Sequence, residues 1–120
     1  MNTLVIPGNP IPKERARTVR GHSFTPQRTA RQEKLIRTTA LAAGIKPISD
    51  PLRVEMWFYR DSHRRGDVSN MIKLAEDALN GVAWEDDNQI IDLVGHKRYD
   101  KTNPRTEIHW ETLSLTSPAD

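Results

Sequence analysis

The sequence predicts an α+β fold, in which a mixed sheet of about four strands packs against two main helices. Residues 52–59 alternate apolar and polar side chains, which is the period of a half-buried strand. Residues 26–43 and 69–80 instead repeat their apolar side chains at helical spacing. The resulting order, β-α-β-α-β-β, predicts helices that connect strands of one sheet and pack against it.

The first part of the chain contains a strand, a loop and a helix. Residues 2–6 form a short apolar strand that the proline-rich residues 7–12 bring to an end. Residues 13–24 alternate basic and small side chains around a glycine, which favours an exposed hairpin. The first helix is expected to begin with the hydroxyl of Thr25 as N-cap and Pro26 in the first helical position. Its predicted apolar stripe is Leu35, Ile36, Ala40 and Ala43.

The second part of the chain contains the second helix and two further strands. Asn80-Gly81 is expected to end that helix in the left-handed conformation. An acidic loop follows at residues 84–88, and residues 89–99 and 105–113 read as strands joined by a turn. The helix's predicted core stripe is Met71, Ala75, Ala78, Leu79 and Val82.

Charge divides the chain unevenly. Residues 1–48 hold nine Lys/Arg against two acids, a net +7, whereas residues 49–120 hold nine against fourteen, a net −5. A basic region attracts a polyanion, and a neighbouring acidic region repels it unless its carboxylates are paired or hold a cation. This layout is typical of a metal-dependent nuclease, and ordinary charge scatter is the alternative. We expect one domain, with residues 1–48 contacting DNA, residues 49–113 as catalytic core and residues 114–120 as a tail.

Composition excludes several classes of protein. The chain has no cysteine, which rules out disulfides and thiolate metal sites. No apolar stretch approaches the roughly 18 residues that a membrane span needs. The N-terminus has no basic segment followed by an apolar run, so no signal peptide is expected. These observations favour a cytoplasmic protein without membrane contact.

Acidic residues gather around the second helix. Asp67 precedes the helix, Glu76 lies on it, and Asp86 and Asp87 follow it. Clustered carboxylates without cysteine or paired histidine suit Mg²⁺ or Mn²⁺ better than Zn²⁺. Such an ion can neutralise a phosphodiester and activate water. Lys73, beside the cluster, could stabilise negative charge on the phosphate.

The helix itself sets a geometric condition for such a site. Asp67 and Asp87 stand at opposite ends of a helix about 18 Å long. They can meet beside Lys73 only if the chain after Gly81 folds back along the helix. The alternative is a set of solvated charges, with Lys73–Asp77 a surface pair worth a few tenths of a kcal/mol. The spacing leaves both interpretations open.

A family resemblance favours the first interpretation. Residues 65–90, RGDVSNMIKLAEDALNGVAWEDDNQI, resemble the signature of the RusA Holliday-junction resolvases of phage or prophage type. That signature is roughly Asp-x-Asp-Asn-x-x-Lys, then Asp-Ala-Leu, then an aromatic residue and an Asp-Asp pair before a strand. The Pro-x-Pro-Lys-x-Arg-x-Arg segment at residues 10–17 also resembles phage-type members, and the likeness covers most of residues 5–100.

The resemblance implies a RusA-like fold, an activity and a set of site residues. The activity is Mg²⁺-dependent, structure-selective nicking of four-way DNA junctions by a homodimer, in recombination and repair within a bacterial host cell. Asp67 matches the first catalytic aspartate, Asn70 and Lys73 match the asparagine and the catalytic lysine, and Asp87 matches the later catalytic aspartate. Asp86 lies beside it as a further candidate metal ligand.

Two positions depart from the family pattern. Ser69 stands where the family carries its second aspartate, and we propose Glu76 as the substitute ligand. A site with one carboxylate fewer, weakly active or inactive, is the competing interpretation. Gly66 stands where the archetypal resolvase carries arginine. The predicted phosphate contacts are Lys13, Arg15, Arg17, Arg64 and Arg65.

Two other functions remain open at this point. One is a module that binds branched DNA with weak or lost cleavage, and the other is a nuclease that prefers flaps or forks. The four histidines share no ligand spacing and are expected to be structural or exposed. Trp84, beside the acidic loop, is the tryptophan that could stack on a base, whereas the other two fit a core or a dimer interface.

Overall fold

Two helices and six strands make up the part of the chain that the structure describes, residues 1–114 of a computed structural model. The predicted α+β class is confirmed. Residues 115–120 of the predicted tail lie outside the described residues. In chain order the elements are β1 (Asn2–Pro7), β2 (Arg17–Val19), β3 (His22–Phe24), α1 (Gln27–Ala42), β4 (Leu52–Arg60), α2 (Val68–Leu79), β5 (Ile90–Tyr99) and β6 (Arg105–Thr112).

The four long strands form one mixed sheet in the order β1-β6-β4-β5. β4 pairs parallel with β5, and it pairs antiparallel with β6, which in turn pairs antiparallel with β1. The parallel pair follows from the connection through α2, because a strand can run in the same direction as its neighbour only after a crossover. β2 and β3 form a separate two-stranded hairpin, as the sequence predicts.

The core lies between the sheet and α2. Every second residue of β4 from Leu52 onward is buried, and the predicted stripe of α2 is buried in full. Trp84 and Trp110 pack edge to face in this core, with ring centroids 6.1 Å apart. Burying side chains of this size contributes about 1.5–3 kcal/mol each, which makes this layer the main source of stability.

The start of α1 differs from the prediction. The N-cap position is Pro26, with φ −53° and ψ 141°, and no side chain caps the helix. The predicted hydroxyl cap at Thr25 is therefore wrong by one residue, because the helical backbone begins only at Gln27.

The buried face of α1 is narrower than predicted. Thr29, Ile36 and Ala40 are buried, whereas Leu35 is 39% exposed and Ala43 is exposed. Among the helices and strands, its main packing partners are α2 and β1. A helix that contacts two neighbours along one edge buries a narrow seam rather than a broad stripe.

The chain after α2 turns back along that helix. Gly81 adopts φ 79°, as expected, and its N–H donates to the Trp84 carbonyl at 2.7 Å, which closes a tight turn. β5 then passes beneath the helix at Gly95, where an added Cβ would lie 2.5 Å from Ile72 Cδ1. The predicted return of the chain therefore occurs, and it carries the end of β5 to the start of α2.

Candidate active site

The carboxylate of Asp67 is fixed at the N-terminus of α2. Asp67 Oδ1 accepts hydrogen bonds from the backbone N–H of Ser69 at 3.0 Å and from the Ser69 hydroxyl at 2.7 Å. Asp67 is therefore the N-cap of the helix. The Ser69 hydroxyl first, and then its N–H, lower the pKa of Asp67, with a smaller contribution from Lys97. The carboxylate is thus held ionised at neutral pH.

Ser69 consequently has a different role from the aspartate that the family pattern places there. Its hydroxyl donates to Asp67 and holds that side chain in one orientation. The sequence shows the substitution but not the hydrogen bond, because the bond depends on the rotamers of both residues.

Lys73 joins the two sides of the acidic cluster. Its Nζ lies 3.4 Å from Asp77 Oδ1, the i,i+4 pair that the spacing predicts. It also lies 3.9 Å from Asp87 Oδ2, which Asn80 Nδ2 approaches at 3.5 Å. The proximity of Lys73 to Asp87 is the part of the predicted constellation that the fold brings together.

Glu76 belongs to the same cluster and is half-buried. Burial raises the pKa of Glu76 above its usual value, and the charge of Asp87 raises it further. Lys73 opposes this shift, whereas Asp77 adds to it. A carboxyl group whose pKa is raised by the negative charge of a neighbouring carboxylate lies where a cation would be stabilised.

The carboxylate of Asp67 lies elsewhere along the helix. Six residues separate Asp67 from Lys73, which corresponds to about 9 Å of helix axis. The side-chain contacts of Asp67 are within the first turn of α2, whereas those of Asp87 are to Lys73 and Asn80. The contacts thus gather Glu76 and Asp87 around Lys73, and the meeting of Asp67 with Asp87 stays a prediction.

The four candidate metal ligands do not form a ready-made cage. Within residues 1–114, no group of three or more acidic or histidine side chains is arranged to hold a metal ion. Asp86 is exposed, and its N–H donates to the Gln89 side chain at 2.8 Å at the start of a 3₁₀ turn. The pair Glu76 and Asp87 remains. Mg²⁺ fits such a pair, since it retains several waters and binds through one or two carboxylates.

Lys13 attaches the N-terminal loop to α2. Its ammonium group donates to Asp77 in a short contact and lies 3.7 Å from Glu33. The backbone N–H of Lys13 donates to the Asn70 carbonyl at 3.0 Å. The hydrogen bond to Asp77 is the main cause of a raised Lys13 pKa. Lys13, one of the predicted phosphate contacts, therefore has two acidic partners inside the protein.

The other predicted phosphate contacts are exposed at two places. Arg15 and Arg17 lie on the arm that leads into the β2–β3 hairpin, and Arg17 Nη2 is 3.8 Å from Glu14. Arg64 and Arg65 lie on the loop before α2, close to the start of that helix.

The sequence did not predict a second basic cluster, which Arg60, Lys97 and Arg98 form. Lys97 donates to the Gly66 carbonyl at 3.0 Å, so the end of β5 brings a cation next to Asp67. A cleft of about 370 Å³ lies there, and Lys97, Arg98 and Arg60 line it with part of the loop before α2. The sequence contained one indication of this cluster. The alternation of buried residues that begins at Leu52 in β4 places Arg60 on the buried face of the sheet.

The aromatic residues have structural positions. Trp84 is fully buried and its indole N–H donates to Asn80 Oδ1 at 2.9 Å. It cannot stack on a base, so the interpretation of Trp84 as a stacking candidate is wrong. Trp57 stacks on His96 at 4.8 Å on the sheet face opposite the helices, and His63 stacks on Tyr99 at 4.1 Å.

Comparison with known proteins agrees with this description. The sequence model of the family described as endodeoxyribonuclease RusA matches residues 7–111. A search of curated proteins finds no match to the chain. No helix in residues 1–114 is long and apolar enough to cross a membrane. Since the match spans most of the 120 residues, the chain belongs to the RusA endodeoxyribonuclease family, whose members are Holliday-junction resolving endonucleases.

Proposed function

We propose that the chain is a Mg²⁺-dependent, structure-selective endonuclease that resolves Holliday junctions by paired nicking, as a homodimer in the bacterial cytoplasm. The single observation that supports this mechanism most is the position of Lys73, which lies 3.9 Å from Asp87 and on the same helix as Glu76. A cation and two carboxylates at one exposed edge are the groups that phosphodiester hydrolysis requires.

In this proposal Glu76 and Asp87 hold the metal ion. When bound, Mg²⁺ would supply charge neutralisation at the phosphate and an activated water. The raised pKa of Glu76 supports the assignment, because a bound cation would offset the burial and repulsion that destabilise its charged form. Asp77 is occupied by Lys13 and Lys73, which leaves it as a positioning residue.

Lys73 is the proposed electrostatic catalyst. Its side chain is 55% exposed, so its ammonium group can turn from the two aspartates to a phosphate oxygen. Donors that face the developing charge stabilise the transition state more than the ground state. Asp67 and Asn70 stay catalytic candidates, with Asp67 and Asp86 as further ligands that bound DNA or the second subunit would bring to the ion.

The basic part of the chain would bind the junction. Residues 1–48 carry the excess positive charge, and four predicted contacts are exposed: Arg15, Arg17, Arg64 and Arg65. Phosphate contacts of this kind set the register of a protein on DNA. A dimer would place one active site against each of two strands, which is what paired nicking needs.

A second candidate function is a branched-DNA-binding protein with weak or lost cleavage. Two observations favour it. The Ser69 hydroxyl donates to Asp67, and no group of three or more acidic or histidine side chains that could hold a metal ion forms within the described residues. Both candidates share the DNA-binding surface and differ in whether Glu76 and Asp87 suffice for the metal.

Cleavage of a synthetic four-way junction separates the two candidates. We expect nicks at paired positions in Mg²⁺ or Mn²⁺, none in EDTA, and less cleavage of forked, flapped and linear duplexes. Junction binding without nicking in either metal would favour the binding module, and preferred cleavage of forks or flaps would contradict the junction assignment.

A further inference from the structure

Arg60 is a buried cation at the end of β4. It is 6% exposed, its Nη1 donates to the Arg64 carbonyl at 3.0 Å, and its buried Nε has no hydrogen-bond partner within residues 1–114. No carboxylate in that part of the chain lies within ion-pair distance of it. Burial of a guanidinium without a counter-charge is strongly unfavourable, which suggests that a group from outside the chain completes the site.

The loop before α2 is shaped around this guanidinium. A Cβ at Gly66 would lie 2.2 Å from Arg60 Nη1, so a side chain at residue 66 would require the guanidinium to move from this position. The Gly66 carbonyl accepts from Lys97, which fixes a second cation at the same place. The loop thus holds two positive charges close together.

Two acids that lie near the end of β4, Asp61 and Asp100, do not pair with Arg60. The Asp100 carboxylate accepts from Thr102, Asn103 and Arg105. Asp61 contributes to a neighbouring cleft on the other side of Arg60, without an ion pair among residues 1–114. The guanidinium is therefore not neutralised from within the described chain.

The cleft above Arg60 is lined mainly by basic side chains. Arg60, Arg64, Lys97 and Arg98 line it together with Ser62, His63 and Tyr99, and we call it the Arg60 cleft. None of its lysine or arginine side chains forms an ion pair within the described residues. Guanidinium groups suit phosphate because their N–H donors match two oxygens at once.

We propose that the Arg60 cleft binds a phosphodiester of the DNA strand, beside Asp67 and separate from the metal pair at Glu76 and Asp87. The assignment rests on the proposed function and deepens it, because it gives the strand a fixed anchor at the end of α2 opposite the metal. The shared chemistry is a phosphate oxyanion, whether it comes from a DNA backbone or from free phosphate.

The first test uses the histidine ring signals of the whole protein in NMR at constant pH. Titration with a dinucleoside monophosphate, which has one diester and no terminal phosphate, should shift the His63 signals saturably. His109, which contacts Trp57 on the sheet face opposite the helices, is the internal control. Equal shifts at His109, or a response to inorganic phosphate without a response to the dinucleoside monophosphate, would overturn the assignment of a strand phosphate.

The second test measures four-way junction binding in EDTA against salt concentration. Because Arg60 is buried, the diagnostic variant is Lys97→Met, with Arg53→Met on the exposed face of β4 as the matched control. Lys97→Met should weaken junction binding at least about fivefold and reduce the slope of log K against log salt by about 0.9, the loss of one phosphate contact. Arg53→Met should change neither quantity.

The two proposals fail in different ways. If Lys97→Met keeps the wild-type affinity and salt slope while the wild-type protein nicks junctions, the proposed phosphate site in the Arg60 cleft is wrong and the nuclease proposal is supported. If the wild-type protein does not nick junctions but Lys97→Met lowers the affinity and the salt slope, the phosphate site is supported and the proposed metal-dependent cleavage is wrong.

Discussion

The two ends of α2 have opposite electrostatic character. At the N-terminal end, Asp67 stands as a single ionised carboxylate beside Lys97 and the Arg60 cleft. At the C-terminal end, Glu76 and Asp87 stand close together, and the pKa of Glu76 is raised. One end therefore attracts an anion and the other attracts a cation, and a phosphodiester with its metal ion would bring both to one surface.

This difference explains why the pKa of Asp67 is lowered whereas that of Glu76 is raised, although both belong to the same predicted site. Both hydrogen bonds from Ser69 reach Asp67 Oδ1, and this exposed carboxylate is already stabilised in its charged form without a metal ion. Glu76 has only a partial counter-charge in Lys73, which Asp77 and Asp87 share. The unsatisfied pair is the better metal site, although the sequence resemblance points first to Asp67.

The largest expected effect comes from the cation-attracting end. Asp87→Asn should lower junction cleavage by about a hundredfold or more, since it removes one of two charged ligands. Binding in EDTA should stay near normal. Asp92→Asn, an exposed change on β5, is the control and should keep full activity; equal losses in both variants would remove Asp87 from the site.

Glu76→Gln should lower cleavage by about tenfold, and it should also change the stability of the folded protein relative to the wild type. The pKa of Glu76 is raised in the folded state. Ionisation of Glu76 therefore destabilises the native state as the pH rises above the ordinary pKa of a glutamate. The variant should therefore gain stability over the wild type at pH 7 but not at pH 4. Thermal unfolding at both pH values measures this, and a loss of stability at pH 7 would contradict the account.

Substitutions of Ser69 test the N-terminal end of α2, which attracts an anion. Ser69→Ala removes the hydroxyl bond that lowers the Asp67 pKa, and Ser69→Asp restores the family residue beside it. A carboxyl group whose pKa is lowered in the folded state stabilises that state at pH values above its ordinary pKa. This stabilisation is lost as the pH falls through the folded-state pKa. Ser69→Ala should thus lose stability at pH 7 but hardly at pH 2.

Ser69→Asp addresses catalysis instead. If Glu76 and Asp87 suffice for the metal, the added carboxylate should leave cleavage unchanged or lower it. A rise of tenfold or more would indicate an incomplete site that still uses the Asp67 end, which the junction-cleavage assay measures directly.

The smallest effect is expected in the N-terminal loop. Lys13→Met breaks the contacts with Asp77 and Glu33 and should lower the free energy of unfolding by about 1 kcal/mol, because the pair is partly buried. Arg15→Met, on the exposed arm, should instead leave stability unchanged and lower junction affinity. Denaturant unfolding and binding in EDTA distinguish the two, and the reverse pattern would assign Lys13 to DNA.

The sequence predicted the elements well because their evidence is local. The alternation in β4 and the stripe of α2 each lie within one window of the chain, and both are confirmed. The hairpin after residue 13 follows equally from local turn residues. The cap of α1 was misplaced because a shift of one residue changes little in the pattern.

The partners of the charged residues could not be predicted in the same way. Lys13 meets Asp77 across 64 positions of sequence, and Lys97 meets Gly66 across 31. Such contacts depend on how β5 returns along α2, which the sequence allows without specifying. The resemblance supplied the candidate residues, and the fold decided which of them are neighbours.

The site at which Mn²⁺ binds in crystals of the protein, located by its anomalous scattering, decides whether Glu76 and Asp87 hold the metal ion. We expect one peak within bonding distance of carboxylate oxygens of both Glu76 and Asp87, and its loss in Asp87→Asn. A peak held by Asp67 without Glu76 would mean that Glu76 and Asp87 are not the metal pair.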